Sequence, residues 1–293
     1  MTHFQQAVFT SVRSERMDGY QVAAASDGVT KAQREELHSW GPAHDSLVDE
    51  DSRLGSINFH RLSCGTFCLS KTVPAGAEYS GRAGHRIYTT CLLATDEQMF
   101  QFANHPFRVL DAAIAAGHMR IARRLSDELP TVHLRGRASP ALPAMLEVLQ
   151  DESARRAVLK LAAAASQGNV LLDSGGATKA VLDQLFSIMP LECRVELSLT
   201  TGLKISPQRP FRIQPAPADR MECRTATNQC GAALVELNSE ESSATFDAPE
   251  GWWATVNELL AARETDTLVS LLAQPRPEMS LSDLVNWSET VPA

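Results

Sequence analysis

Residues 169–202 read NVLLDSGGATKAVLDQLFSIMPLECRVELSLTTG. NVLLD is a short apolar run of strand length, and Gly175-Gly176 turns the chain. ATKAVLDQLFSIMP spaces Val181, Leu182, Leu185, Ile188 and Met189 at helical intervals. RVELSLTTG then alternates Val195, Leu197 and Leu199 against Glu196, Ser198 and Thr200. The pattern predicts strand, helix, strand, a unit that implies a parallel pair.

The chain before this unit has a different texture. QAVFTSVR (6–13) and YQVAAAS (20–26) read as strands joined by a polar hairpin loop ending in Asp-Gly. Thr30 with Gln33 predicts a capping box and a helix that stops at Gly41-Pro42. Residues 57–73, INFHRLSCGTFCLSKTV, read as two strands with a turn near Ser63–Gly65, and RIYTTCLLA (86–94) as a buried strand. Thr95 with Gln98 repeats the capping box. Hairpins in one half and a strand–helix–strand unit in the other predict an α+β protein, with a mixed sheet in each half and a helical C-terminal segment.

The expected organisation is a β-rich N-terminal half over 1–125 and a linker over 126–143, where three prolines meet a basic patch. An α/β half over 144–245 and a helical segment over 246–293 follow. All eight histidines lie at or before residue 133, which suits two compositionally different halves.

Composition narrows the function classes. The 293 residues are 44% hydrophobic, with a formal net charge of -8. That acidic balance argues against a general nucleic-acid binder. No apolar run reaches the roughly 18–20 residues a membrane span needs, and the N-terminus lacks a signal-peptide pattern. The six cysteines, at 64, 68, 91, 193, 223 and 230, are sparse and irregular, which points to a reduced, cytoplasmic setting.

Four constellations bear on chemistry. The turn at 174–178 lies between strand and helix like a phosphate loop, but Lys179 follows Thr178 and the required G-x-x-x-x-G-K-[ST] order is missing. His60, Cys64 and Cys68, with His85 or Cys91, offer zinc-type ligands without a reliable fourth, so no metal and no cofactor are expected. Ser80 or Cys91 with His85 or His44 and Asp45 would make a nucleophile–base–orienter set, but no nucleophile elbow surrounds them. The loop GAEYSGRAGHR (76–86) has three glycines that permit close backbone approach. Its Tyr79, Ser80, Arg82, His85 and Arg86 suit contact with an anionic or aromatic partner better than proton transfer. The adjacent Trp252 and Trp253 cannot both face one core from one helical turn, so one is expected to meet a partner.

Four stretches together carry a resemblance: 5–29, 54–72, 76–93 and 195–213, the last reading VELSLTTGLKISPQRPFRI. They resemble the N-terminal module of GTPase-associated protein 1, type 2-like, from bacterial ternary conflict systems. The resemblance implies a non-enzymatic adaptor or scaffold that binds a GTPase or another component of such a system. It brings no catalytic residue with it. The competing reading is a nucleotide- or small-molecule-binding enzyme with its site in the Gly-rich loop 76–86.

Overall fold

In the computed structural model, the residues described are 1–13, 18–49, 55–77, 85–122, 124–209, 211–237 and 249–288. The chain divides into two compact units, one of Met1–Phe102, Pro106–Ala138 and Ser198–Phe211, the other of Ala103–His105, Ser139–Leu197 and Arg212–Ala293.

The first unit is an antiparallel sheet. Its strands are β1 (Thr2–Arg13), β2 (Asp18–Ala25), β3 (Ser56–Arg61), β4 (Phe67–Ala77), β5 (His85–Ala94), β6 (Val132–Leu134) and β8 (Leu199–Thr200). They run in the order β8-β3-β4-β5-β1-β2, with β6 on the N-terminal end of β1. The β3–β4 hairpin turns where expected, at Gly65, whose φ of 87° favours glycine. Helix α1 (Lys31–Trp40) begins at the capping box formed by Thr30 and Gln33, and α2 (Asp96–Phe100) at that of Thr95 and Gln98. Helix α3 is Pro106–Ala115.

Alternation along the strands separates two faces. One presents Phe59, Phe67, Leu69 and Leu92, all buried, and α3 packs against β4 on this side. The other carries Ala7, Cys68, Cys91 and Leu93 against Leu37 of α1, with Trp40 closing its edge. At its β3–β5 centre that second face is polar.

The segment Ser198–Phe211 completes this unit from far along the chain. Thr200 and Leu199 pair with Asn58 and Phe59, and Thr201 exchanges two bonds with Ile57, N–H to carbonyl at 2.9 Å and N–H to hydroxyl at 2.8 Å. Leu203 and Phe211 join Leu47 and Ile87 in a small apolar cluster.

The second unit has a parallel sheet in the order β10-β7-β9, with β7 at Asn169–Asp173, β9 at Ile213–Pro215 and β10 at Ala232–Glu236. Around it lie α4 (Pro143–Val148), α5 (Glu152–Gln167), α6 (Thr178–Ile188), α7 (Arg220–Cys230), α8 (Gly251–Ala261) and α9 (Thr265–Ala273). Antiparallel pairing in one unit and parallel pairing in the other, with helices throughout, make the protein α+β.

Two local expectations are corrected. Residues 194–202 are not one strand: Cys193–Glu196 forms a 3-10 turn and only Leu199–Thr200 is extended. The parallel partners of β7 are β9 and β10. The cause is Arg194, which is fully buried. Its guanidinium donates to three carbonyls of the second unit: Nε to Met189 at 3.0 Å, Nη1 to Ala103 at 3.0 Å and Nη2 to Pro140 at 2.7 Å. A side chain drawn inward there turns the backbone away from an alternating strand. Leu185 is buried as its helical stripe requires, whereas Val195 is half-buried.

The second correction concerns the tryptophans. Trp252 and Trp253 are both buried, at 0% and 1% exposure. Trp252 Nε1 donates to the Ile188 carbonyl at 2.9 Å, and Trp253 Nε1 to Ser166 Oγ at 3.1 Å. Two directions are open to the rings because α8 is covered on more than one side, by α5, α9 and the C-terminal turn Leu281–Leu284. Trp287 meets the Trp252 ring edge-on at 5.2 Å, and Arg276 lies over it at 5.1 Å. The interior of the unit uses both rings.

Candidate functional site

Tyr79, Ser80 and Arg82 lie outside the described residues. His85 and Arg86 open β5 and are half-buried. Arg86 Nη2 donates to the Ala75 carbonyl at 3.2 Å, which holds the side chain along β4. Its buried Nε finds no hydrogen-bond partner among the described residues.

Arg86 borders a groove of about 410 Å³. Thr10–Arg13 of β1 and Tyr88 of β5 form one wall, and Ile121, Ala122 and Leu125 the other. Tyr88 ties the walls together, its hydroxyl accepting from the Ala122 N–H at 3.4 Å. Ile121 is 45% exposed and Arg13 is exposed. Two arginines beside apolar side chains, on a chain of net charge -8, make a local cationic site with an apolar floor. It can hold a carboxylate or another anion flanked by apolar groups. Sequence reasoning reached Arg86 but missed this groove, because its second wall comes from a segment with no regular pattern.

Beneath α1 is a second, smaller site, built by strand alternation. Asn58 and His60 of β3, Cys68 and Ser70 of β4, and Thr89 and Cys91 of β5 face one small cavity, roofed by Trp40, Leu203 and Phe211. A chain of hydrogen bonds crosses four strands beside it. Asn58 Oδ1 accepts from Ser56 Oγ at 2.8 Å and Thr200 Oγ1 at 2.6 Å, while Nδ2 donates to Ser70 Oγ at 3.0 Å and Thr72 Oγ1 at 3.3 Å. Thr72 and Thr89 join their hydroxyls at 2.9 Å.

His60 is 6% exposed and lies between the rings of Trp40, at 4.9 Å, and Phe211, at 5.5 Å. Burial pushes its pKa down to about 3, so the imidazole is neutral. The thiol of Cys68 is held well above its ordinary pKa by its hydrogen bond to Cys91 and by burial. Neither group matches an activated nucleophile. The zinc-type grouping does not converge either: Cys64 is exposed on the β3–β4 turn, while His60 and Cys68 are buried under α1. Among the described residues no cluster of three or more His, Cys, Asp or Glu is placed to hold a metal. In the strand-to-helix turn of the second unit, the Ser174 and Thr178 hydroxyls pair at 2.7 Å and the Asp173 carboxylate accepts from the Gly175 N–H at 3.1 Å. A carboxylate on that backbone N–H is the opposite of what a phosphate loop needs. Among the described residues no helix is long and apolar enough to cross a membrane.

The first unit thus combines an antiparallel sheet, helices on its faces and a groove bordered by Arg13 and Arg86. Residues 3–134 match the family GTPase-associated protein 1, N-terminal domain type 2. No curated protein and no solved structure matches the chain. Three of the four stretches that carried the resemblance fall largely or wholly within the match. The fourth, 195–213, lies beyond it, yet its Ser198–Phe211 portion folds into the same unit.

Proposed function

We propose that this chain is a non-enzymatic adaptor that binds a GTPase, or another component of a prokaryotic conflict system, and that the Arg86 groove is a contact point. The observation that carries the reading is the family match over 3–134, which is to a GTPase-associated domain. The groove supports it: Arg13 and Arg86 offer charge, and Ile121 and Leu125 offer apolar surface. Such a combination serves association with a protein, where a charged rim steers and an apolar centre holds. The Gly-rich sequence that precedes β5, with Tyr79, Ser80 and Arg82, adds an aromatic ring and a further cation to the same stretch of sequence.

The test is calorimetric titration of the purified protein against GTPases encoded beside it. Wild type binds at least one of them. Arg86→Ala weakens that binding tenfold or more without lowering the thermal midpoint by more than a few degrees. Failure of every such GTPase to bind defeats the adaptor reading. Undiminished binding by Arg86→Ala moves the contact elsewhere on the protein.

A further inference from the structure

At the N-terminal end of β1 two imidazoles stand side by side, apart from the His60, Cys64 and Cys68 grouping. The register places His3 directly opposite His133 of β6, and both residues are exposed. Backbone direction decides which kind of pair this is. Gln6 exchanges bonds with Ser26 on the β2 side of β1, its N–H donating to Ser26 Oγ at 3.0 Å and its carbonyl accepting from the Ser26 N–H at 2.8 Å. The chain leading into β6 lies on that same side, where the Pro130 carbonyl accepts from the Gln6 and Ser26 side chains. By alternation Phe4 and Thr2 turn their backbone groups to β6, and His3 turns its own away. The His3 carbonyl does face the other way, accepting from Gln98 Nε2 of α2 at 2.5 Å. His3 and His133 are therefore a non-hydrogen-bonded pair, the kind that brings side chains closer.

Their ring centroids are 4.2 Å apart, with the planes tilted by 58°. Two nitrogens on one zinc ion, each at about 2.0–2.1 Å, stand roughly 3 Å apart. Rings already in contact meet that spacing by small side-chain rotations, which their exposure allows. His133 Nε2 lies 3.3 Å from Thr131 Oγ1, a contact that orients the ring as an outer partner orients a metal-bound histidine. Arg135, exposed just beyond β6, adds positive charge, which disfavours calcium or magnesium. Imidazole lone pairs suit zinc, nickel or copper. Among the described residues no group of three or more His, Cys, Asp or Glu is placed on a metal, so water completes the coordination here. The ion is held less firmly than in a closed four-ligand site.

We propose that His3 and His133 bind one divalent transition-metal ion of the zinc type, which clips the start of β1 to β6. The two residues stand at the two ends of the segment that matches the family, residues 3–134. The ion closes that segment where its first and last strands meet. Bound only in the folded state, it stabilises the fold by mass action.

Calorimetric titration of the untagged, metal-free full chain with zinc chloride tests this. Wild type binds one ion per chain, and His3→Ala and His133→Ala each weaken binding at least tenfold. Both substitutions are at exposed positions, so midpoints measured without zinc stay within a few degrees of wild type. Zinc at ten times its wild-type dissociation constant raises the wild-type midpoint by about 2–4 °C and moves either variant by about 1 °C or less. Cys64, an exposed thiol, is the competing zinc ligand, and Cys64→Ser binds as wild type does. No zinc binding by wild type, binding that survives the loss of either histidine, or binding lost in Cys64→Ser overturns the proposal.

Discussion

Each unit buries polar groups, and the two do it in different ways. The first surrounds Asn58 with the hydroxyls of Ser56, Ser70, Thr72 and Thr200, all neutral and all side chain to side chain. The second sends one cation, Arg194, into the interior and satisfies it with main-chain carbonyls from Met189, Ala103 and Pro140. Hydroxyls rotate, so a neutral network can re-pair after losing a member. The carbonyls around Arg194 are fixed by the path of the backbone and cannot turn to each other. The first arrangement tolerates damage, and the second concentrates it in one residue.

The largest expected effect therefore falls on Arg194. Arg194→Met takes the donor from two buried carbonyls, of Met189 and Ala103, and from the half-buried carbonyl of Pro140, at about 1–3 kcal/mol each, and lowers stability by about 3 kcal/mol or more. Urea denaturation of the variant beside wild type measures this. Arg194→Lys retains the charge but lacks the planar fork that reaches three acceptors, and falls between the two. A loss under about 1 kcal/mol for Arg194→Met would remove the guanidinium from its central place and collapse the contrast between the units.

Asn58→Ala is the matching test in the first unit. It removes the hub of the network, but the Ser56 and Thr200 hydroxyls already lie 3.0 Å apart and can pair with each other. The expected loss is roughly 1–3 kcal/mol, below that of Arg194→Met. The same denaturation series decides the order. A reversed order would show that the neutral network is the less adaptable of the two.

How much of this was legible beforehand depends on the range of the interaction. Both capping boxes were readable because Thr30 with Gln33 and Thr95 with Gln98 act over three residues. The hairpin at Gly65 was readable for a similar reason. The role of Arg194 was not, since its acceptors lie in three separate stretches of chain and the residue sits in a segment whose alternation imitates a strand. The tryptophan pair misled because periodicity within α8 says nothing about how many sides of α8 are covered. The polar face had a visible signal in the alternation of Ser56, Asn58 and His60 and of Cys68, Ser70 and Thr72. Period-two polarity on a strand ordinarily marks a solvent face, and only the position of α1 and of Leu203 and Phe211 makes it an interior one. Of the candidate contact residues, Arg86 was reached through its loop composition, while Ile121 and Leu125 across the groove belong to no periodic element.

The smallest effect separates the units by pH. His60 is neutral in the fold, its pKa lowered to about 3 by burial, whereas an unfolded imidazole titrates near about 6.5. Between those values the unfolded chain binds a proton that the folded chain refuses. Stability present above about pH 6.5 is lost as the pH falls, at up to about 1.4 kcal/mol per pH unit. The Cys68 thiol, which lines the same cavity, adds nothing in this window; its hydrogen bond to Cys91 and burial keep it protonated. Arg194 stays charged throughout, so the second unit's buried cation contributes no slope of its own. Stability measured from pH 7 to pH 5 in wild type and His60→Phe isolates the imidazole, because the carboxylates act equally in both. Over that range wild type should lose about 2 kcal/mol more than the variant. Parallel curves for the two proteins would mean that His60 gains a proton without leaving the fold, and that its surroundings are wetter than the ring contacts with Trp40 and Phe211 imply.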